Sequence, residues 1–473
     1  MLHCKDNDII PEAGHPFSED KLNREPIAQM LTRLIDNLSH SGAVIALDGE
    51  WGVGKTTFVR MWKQSLVDSE YRTLYFNAWE SDYIDDPLIA LLGELKDVVG
   101  DNSRFKSLAA NGGKVALRFG AEIVKGVVQK YIGVDSDAIK ATIDETANVF
   151  SNQVDQYKEQ KLELQEFKTK LSEYVAFESN DKPIVFFIDE LDRCNPFFAV
   201  KLLERIKHLF EVPNIIFVLA VNINQLQFAI QGYFGSSNLN GREYIKRFVD
   251  FEFRLPVPDI EKYLDFICEK NDFDSYFKSS GRNSFYDVED KPETFRSIAK
   301  DLIACSRMNF RSVNRLISLF RIAINTFPAN SYIHIDLVFL LCYLKFENPK
   351  IYINITEGNY KIQELIDEIE EALPASIFES KDYNMSDRHI AFAIASLLLC
   401  YNYSSRMIER EADFKGTPKE GSRFDTYPIK TKRLKKELLE EALYYRRNGA
   451  RGYYQDGLTM ITSRIDLLQA YGR

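Results

Sequence analysis

The sequence predicts an α/β fold, a parallel sheet layered between helices with a mostly α-helical C-terminal region, and three observations carry that expectation. Residues 48–58, DGEWGVGKTTF, form a glycine-rich loop between an apolar strand pattern, AVIALDG, and a helical one, TTFVRMWKQSLVD. Four further short runs, RTLYFNAW, PIVFFIDE, NIIFVLAVN and FVDFEFRLP, are rich in β-branched and aromatic residues without alternation. Such runs mark strands buried on both faces of a sheet. Helical patterns separate most of them, as parallel crossovers require.

Along the chain, residues 20–40 place Ile27, Met30, Leu31, Leu34, Ile35 and Leu38 at helical spacing, with Gly42 as the expected C-cap. The interval between the second and third strands is too long for one crossover. Its residues Ile143, Ala147, Phe150, Val154, Tyr157, Leu164, Leu171 and Val175 follow a 4,3 spacing broken by Lys161 and Lys168, which predicts a long helix with an imperfect seam. The expected organisation is an α/β core over 18–100 and 181–257, a helical insertion over 101–180, a helical lid over 258–330 and a C-terminal helical domain over 331–473.

Composition narrows the class. The chain has 473 residues, 45% hydrophobic and 27% charged, with a net charge of −10. That is a globular composition, and no overall positive field draws it to nucleic acid or an anionic membrane. Six cysteines without CxxC spacing read as free thiols in a reducing compartment, so the cytoplasm is expected. No secretory signal is expected, and the longest apolar runs fall short of the ~18 to 20 residues of a spanning helix. Six scattered histidines predict neither a zinc site nor a histidine-activated nucleophile.

Gly49, Gly54, Lys55 and Thr56 satisfy G-x-x-x-x-G-K-[ST], the P-loop. The loop residues Gly49, Glu50, Trp51, Gly52, Val53, Gly54, Lys55, Thr56 and Thr57 are the expected nucleotide contacts, because consecutive N–H groups and a helix N-terminus face phosphate oxygens. Lys55 reaches the β and γ phosphates and the Thr56 hydroxyl ligates Mg²⁺. Asp189, closing the strand in IVFFIDELDR, is the expected acid behind the magnesium ion, and Glu190 the general base for water. A second acid argues for hydrolysis over phosphoryl transfer to a metabolite. Asn222 ends the next strand, where an amide can bridge the base and the water, or simply form a turn. ATP is the expected nucleotide, since no N-K-x-D run reads guanine and no LSGGQ-like stretch is present.

These motifs, with FNAWESDYIDDPLIALL, FFIDELDRCNP, VKLLERIKHLF and VLAVNINQLQFAI, resemble the KAP P-loop NTPases over roughly residues 18–321. The resemblance implies the additional-strand catalytic-glutamate class, a five-stranded core and an ATP-driven conformational cycle. Bacterial members include a phage-exclusion protein and components of anti-phage systems, which implies a role in antiviral defence beside a partner effector protein. Asp192 and Arg193 fall on the family's L-D-R run, and the residues themselves announce no role there. Arg247 with Arg242 resembles the trans-acting arginines of related oligomeric ATPases, and Arg311 with Arg315 resembles a lid arginine that senses nucleotide. A homo-oligomer is therefore expected.

Many members carry transmembrane helices between the two nucleotide motifs. Here residues 112–134 are amphipathic, with Lys114, Arg118, Glu122, Lys125 and Gln129 opposite Val115, Phe119, Ile123 and Val127. They read as a helix on the membrane surface or, as the favoured alternative, a helix packed on the sheet or a neighbouring subunit. A basic run, Lys430, Lys432, Arg433, Lys435 and Lys436, followed by Tyr444, Tyr445, Arg446 and Arg447, makes nucleic acid a possible but less favoured partner. Glu437, Glu440 and Glu441 interleave with it at ion-pair spacing.

Overall fold

The computed structural model describes residues 10–470 except 39, 85, 100–102, 119–152, 179–181, 210–211, 257–258, 279–291, 307, 329–332, 379–384, 405–428 and 450–456. The chain divides into two compact units, Asp8–Pro258 and Asp259–Arg473 (with Met1–Asn7).

The first unit runs α1 (Glu25–Leu38), β1 (Ala43–Asp48), α2 (Lys55–Asp68), β2 (Thr73–Asn77), α3 (Pro87–Val99), α4 (Ser103–Arg118), α5 (Gln153–Glu178), β3 (Ile184–Asp189), α6 (Pro196–Leu209), β4 (Ile215–Val221), α7 (Ile223–Phe234), α8 (Gly241–Ile245) and β5 (Phe251–Arg254). All five strands pair in parallel in the order β2-β3-β4-β1-β5. β4 therefore lies between the strand that feeds the glycine-rich loop and the strand that ends in Asp189, which is the added strand that the resemblance implied.

Alternate residues of the strands enter different cores. Ile184, Phe186 and Ile188 of β3 pack with α3, α4, α5, α6 and α7, whereas Val185 and Phe187 pack with α1 and α2. Trp62 of α2 meets Phe187 edge-on at 5.2 Å and donates its indole N–H to Thr32 Oγ1 at 2.9 Å. Burial on both faces explains why these strands read as continuous apolar runs. β5 is the exception to that expectation: it pairs on one side only, and Phe251 is 43% exposed. Edge position removes the demand for burial.

Gly42 does not cap α1, which ends four residues earlier at Leu38. Its φ of 68° turns the chain into β1, and a Cβ there would stand 2.6 Å from the Val212 carbonyl oxygen. The described ends of the insertion belong to the sheet's own core. Phe105, Leu108, Ala109 and Val115 of α4 and Phe167, Leu171, Tyr174 and Val175 of α5 are buried there. Gly112 lets α4 approach so closely that a Cβ would meet Leu92 at 2.3 Å. Of the amphipathic stretch 112–134, Gly112 and Val115 thus pack on the protein itself, and residues 119–134 lie outside the described part. The seam residues Ile143, Ala147 and Phe150 lie outside it as well.

The second unit is helical: α9 (Ile260–Lys270), α10 (Phe273–Lys278), α11 (Pro292–Cys305), α12 (Phe310–Asn325), α13 (Ile335–Glu347), α14 (Pro349–Glu357), α15 (Ile362–Ala372), α16 (Met385–Ser404), α17 (Lys436–Gly449) and α18 (Gly457–Ala470). One core joins residues of α9–α12 to α13, α16, α17 and α18, so 258–330 and 331–473, expected as lid and separate domain, share their apolar interior. The apolar α13 and α16 are buried helices, and among the described residues no helix is long and apolar enough to cross a membrane.

The basic run of this unit is held by acids. The buried Glu370 carboxylate accepts the backbone N–H groups of Lys432, Arg433 and Leu434 at 2.8–3.1 Å. Lys432 pairs with Asp367 at 3.3 Å and Lys436 with Glu440, one helical turn on, at 3.4 Å. Arg446 points inward and pairs with Asp336 at 2.8 Å, with the two side chains 2% and 0% exposed.

Removing one member of such a pair strands the other charge in an apolar interior. Asp336→Ala is expected to destabilise the helical unit by about 3–5 kcal/mol, read as a lowered urea midpoint, whereas a surface control such as Lys436→Ala stays within about 0.5 kcal/mol.

Candidate functional site

The carboxyl edge of the sheet carries the site. β1 hands the chain at Asp48 to a loop in which Gly52 and Gly54 have φ of 82° and 83°, and α2 begins at Lys55. Left-handed glycines fold consecutive amides inward at the helix N-terminus, a concavity that suits phosphate oxygens.

Arg24, at the start of α1, braces this loop from outside. Its guanidinium donates to the carbonyls of Val53 at 2.6 Å and Gly54 at 3.0 Å, and the residue is only 4% exposed. Burial lowers its pKa to about 10, which leaves it charged at neutral pH. Nothing in the motif announces Arg24. The helix pattern before β1 shows an arginine but not where its side chain turns.

Lys55 is buried, and its ammonium donates to the carbonyls of Gly49 at 2.5 Å and Glu50 at 3.1 Å. Burial lowers its pKa while Asp192, Asp189 and Asp48 pull it back up. Val53 is buried, Thr56 and Thr57 are half-buried, and Glu50 is exposed. Trp51, 41% exposed, donates its indole N–H to Asp192 at 2.5 Å, linking the loop to the acidic motif.

Asp189 closes β3 and is 1% exposed. Its Oδ2 accepts the Tyr75 hydroxyl at 3.0 Å and its Oδ1 the Glu190 N–H at 2.9 Å, and the Thr56 side chain hydrogen-bonds to it as well. Burial pushes its pKa up, against those three hydrogen bonds and Lys55. A buried acid beside a hydroxyl and a phosphate loop fits a hydrated divalent cation, whose charge offsets the cost of keeping the carboxylate ionised. Thr56 and Asp189 are the residues that would hold magnesium.

Glu190 follows in a left-handed conformation, φ 61° and ψ 22°, that aims it away from the strand. Burial raises its pKa, opposed first by Arg193, whose guanidinium meets Oε1 at 2.6 Å. The Asn77 amide donates to the same carboxylate. Asn77 stands beside Asp189 in the parallel register of β2 and β3, and its Oδ1 accepts the N–H groups of Trp79 and Glu80 at 3.1 and 3.4 Å. Asn77 is thus an amide on the base that the motif reading did not single out. Asn222 is buried at the end of β4, where its Oδ1 accepts Gln225 N–H at 3.2 Å and caps α7. The sequence does contain a signal for Asn77, the strand-end N before A-W-E, but only the sheet order makes β2 the neighbour of β3.

The arginines lie elsewhere. Arg247 is exposed, its guanidinium 5.7 Å from the Tyr244 ring, and precedes β5. Because β5 runs parallel to β1, with Arg254 opposite Asp48, Arg247 sits toward the amino edge, away from its own chain's loop. Arg242 pairs with Glu252 at 2.6 Å. Arg311 and Arg315 are exposed on α12 of the helical unit.

The KAP family P-loop domain matches this chain over residues 24–327. Two solved structures of the Aeropyrum pernix ORC2 protein, in ADPNP–ADP complexes and in the ADP form, align with 83% and 81% of this chain and 88% and 87% of theirs. Both are 13% identical, with TM-scores of 0.35 and 0.34, a likeness too low to carry any argument. No curated protein matches.

Charged hydrogen bonds to a loop carbonyl are each worth about 1.5–3 kcal/mol. Arg24→Met is therefore expected to weaken binding of a fluorescent ATP analogue about tenfold or more, measured by equilibrium titration, while far-UV circular dichroism stays that of the unaltered protein.

Proposed function

The chain belongs to the KAP family of P-loop proteins, and from that premise we propose that it hydrolyses ATP with Mg²⁺ as a homo-oligomer. The observation that carries this reading is the hydrogen bond between Thr56 and the buried Asp189, beside Lys55 and followed at once by Glu190. Lys55 and the loop amides bind the β and γ phosphates, Thr56 and Asp189 hold the ion, and Glu190 takes the proton of the attacking water. Magnesium neutralises charge on the phosphate oxygens when bound.

Arg247 supports the oligomer. Charge developing on the transferred phosphoryl group requires a cation, and Arg247 faces away from its own chain's loop. From the Tyr244 ring beside it an aromatic chain runs to Phe248 on one side and through Phe234 and Tyr233 to Phe197 on the other, with successive rings 4.9–5.3 Å apart. Phe197 is 61% and Phe234 48% exposed, which suits a subunit contact. In this reading a neighbouring copy presents Arg247 to the nucleotide, and Arg311 reports nucleotide state to the helical unit.

The biological role proposed, by resemblance to bacterial relatives, is antiviral defence in the cytoplasm together with a partner effector protein. A second reading, a nucleotide-occupancy switch that scaffolds a membrane-associated assembly, is favoured in its switch part by the two groups that already hold Glu190, Arg193 and Asn77.

Steady-state ATP turnover across protein concentrations separates these. Turnover per chain is expected to rise with concentration, and Arg247→Ala to lower it about 10³-fold or more. Glu190→Gln is expected to lower it about 10²–10⁴-fold with ATP binding retained. Turnover that ignores both concentration and Arg247→Ala removes the trans-acting arginine, and tight ATP binding with negligible turnover under every condition establishes the switch.

A further inference from the structure

We propose that Arg193 is a positioning residue that restrains Glu190, gripping its carboxylate beside the ring of Trp79 so that the base stays off the water until the grip is released. The inference rests on the reading of Glu190 as general base. It assigns work to two elements, A-W-E and L-D-R, whose spacing in the sequence announces none.

The geometry is a laced pair of segments. Leu191–Arg193 form a 3₁₀ turn directly after Glu190, and Arg193 N–H donates to the Glu190 carbonyl at 3.0 Å. The same turn brings the guanidinium back onto Glu190 Oε1 at 2.6 Å, with the side chains only 24% and 15% exposed. A charge-assisted bond this short, sheltered from solvent, is one of the stronger kinds. The other side of Arg193 faces Trp79, with Cζ 5.6 Å from the ring centroid. Trp79 is held in turn by Asn77 Oδ1, and the same Asn77 amide donates to Glu190. Beyond them, Asp82 Oδ2 accepts Asn195 N–H at 3.0 Å, which ties the far ends of the two segments together.

A guanidinium and an amide on one carboxylate take two of its about four acceptor sites and hold it in one orientation, which leaves it a poorer acceptor for a water proton. Turnover is therefore faster once Glu190 leaves Arg193. The group that steadies Arg193 is also the accessible one: Trp79 is 51% exposed, and Tyr83 four residues on is 70% exposed. Whatever packs on Trp79 and draws it from Arg193 loosens the grip without touching the phosphate loop. The left-handed backbone of Glu190 favours release, because a non-glycine residue held at φ 61° gains by moving once its partner is gone.

The test compares the full-length chain with Arg193→Gln, Arg193→Lys and Trp79→Ala at one protein concentration, reading ATP turnover and equilibrium binding of mant-ATP separately. Arg193→Gln is expected to raise kcat about tenfold, equivalent to about 1.4 kcal/mol in the barrier, with mant-ATP affinity unchanged within about twofold. Arg193→Lys keeps the charge but not the planar fork or the stack, and is expected to lie between. Trp79→Ala is expected to move kcat in the same direction, and adding Glu190→Gln to abolish every gain. A kcat for Arg193→Gln that is unchanged or lower, with mant-ATP bound as by the unaltered protein, overturns the restraint while leaving the nucleotide reading standing. Failure of the unaltered protein to bind mant-ATP overturns that reading and the restraint with it.

Discussion

One buried carboxylate organises the site. Asp189 is almost wholly shielded from water at the end of a strand that is buried along its whole length, and an ionised acid there is costly unless the surroundings supply donors or a cation. Everything nearby answers that demand. Tyr75 comes from the neighbouring strand, Thr56 from the helix after the loop, and the Glu190 amide from the next residue. The same donors fix the loop helix against the sheet edge, so the chemistry of a phosphate site and the packing of its strands are one problem.

The two segments after β2 and β3 form a second layer of organisation. Their strands pair directly, Asn77 opposite Asp189, so the residues that follow emerge side by side. That adjacency turns A-W-E and L-D-R into a single structure around Glu190, and Trp51 joins it to the phosphate loop through Asp192. Further out, Asp86 pairs with Arg205 of α6 at 2.9 Å in a nearly dry setting. Trp79 is linked to the base through Arg193, whose neighbour Asp192 joins the phosphate loop.

The helical unit follows other rules. Its largely aliphatic interior contains a cluster of rings in which Phe273, Phe295 and Phe320 stack and Phe339 meets them edge-on, and its charges serve the chain itself. Glu370 satisfies three successive backbone amides, and Arg446 is buried against Asp336. A run that looks in sequence like a surface for phosphates is in large part an anchor for the segment that leads into α17. Charge spacing alone could suggest the ion pair of Lys436 with Glu440, but not that Glu370, some sixty residues earlier, holds the segment.

By itself the sequence determined the strands, the glycine loop, the acid pair and the family, because each is written in local signals: apolar runs for burial, glycines for left-handed turns, a carboxylate at a strand end. It placed β5 among fully buried strands because a short apolar run does not say whether it has one neighbour or two. It singled out Asn222 because the residue ends a strand, as Asn77 also does. Only the tertiary structure brought Asn77 to the base, by pairing β2 with β3, while Asn222 ends β4 on the other side of β3. It likewise decided that Arg24 braces the loop, that Arg446 turns inward, and that Trp79 flanks Arg193. Partners brought together by strand order and helix packing leave no trace in the spacing of either segment, since their contact depends on the path of all the chain between them.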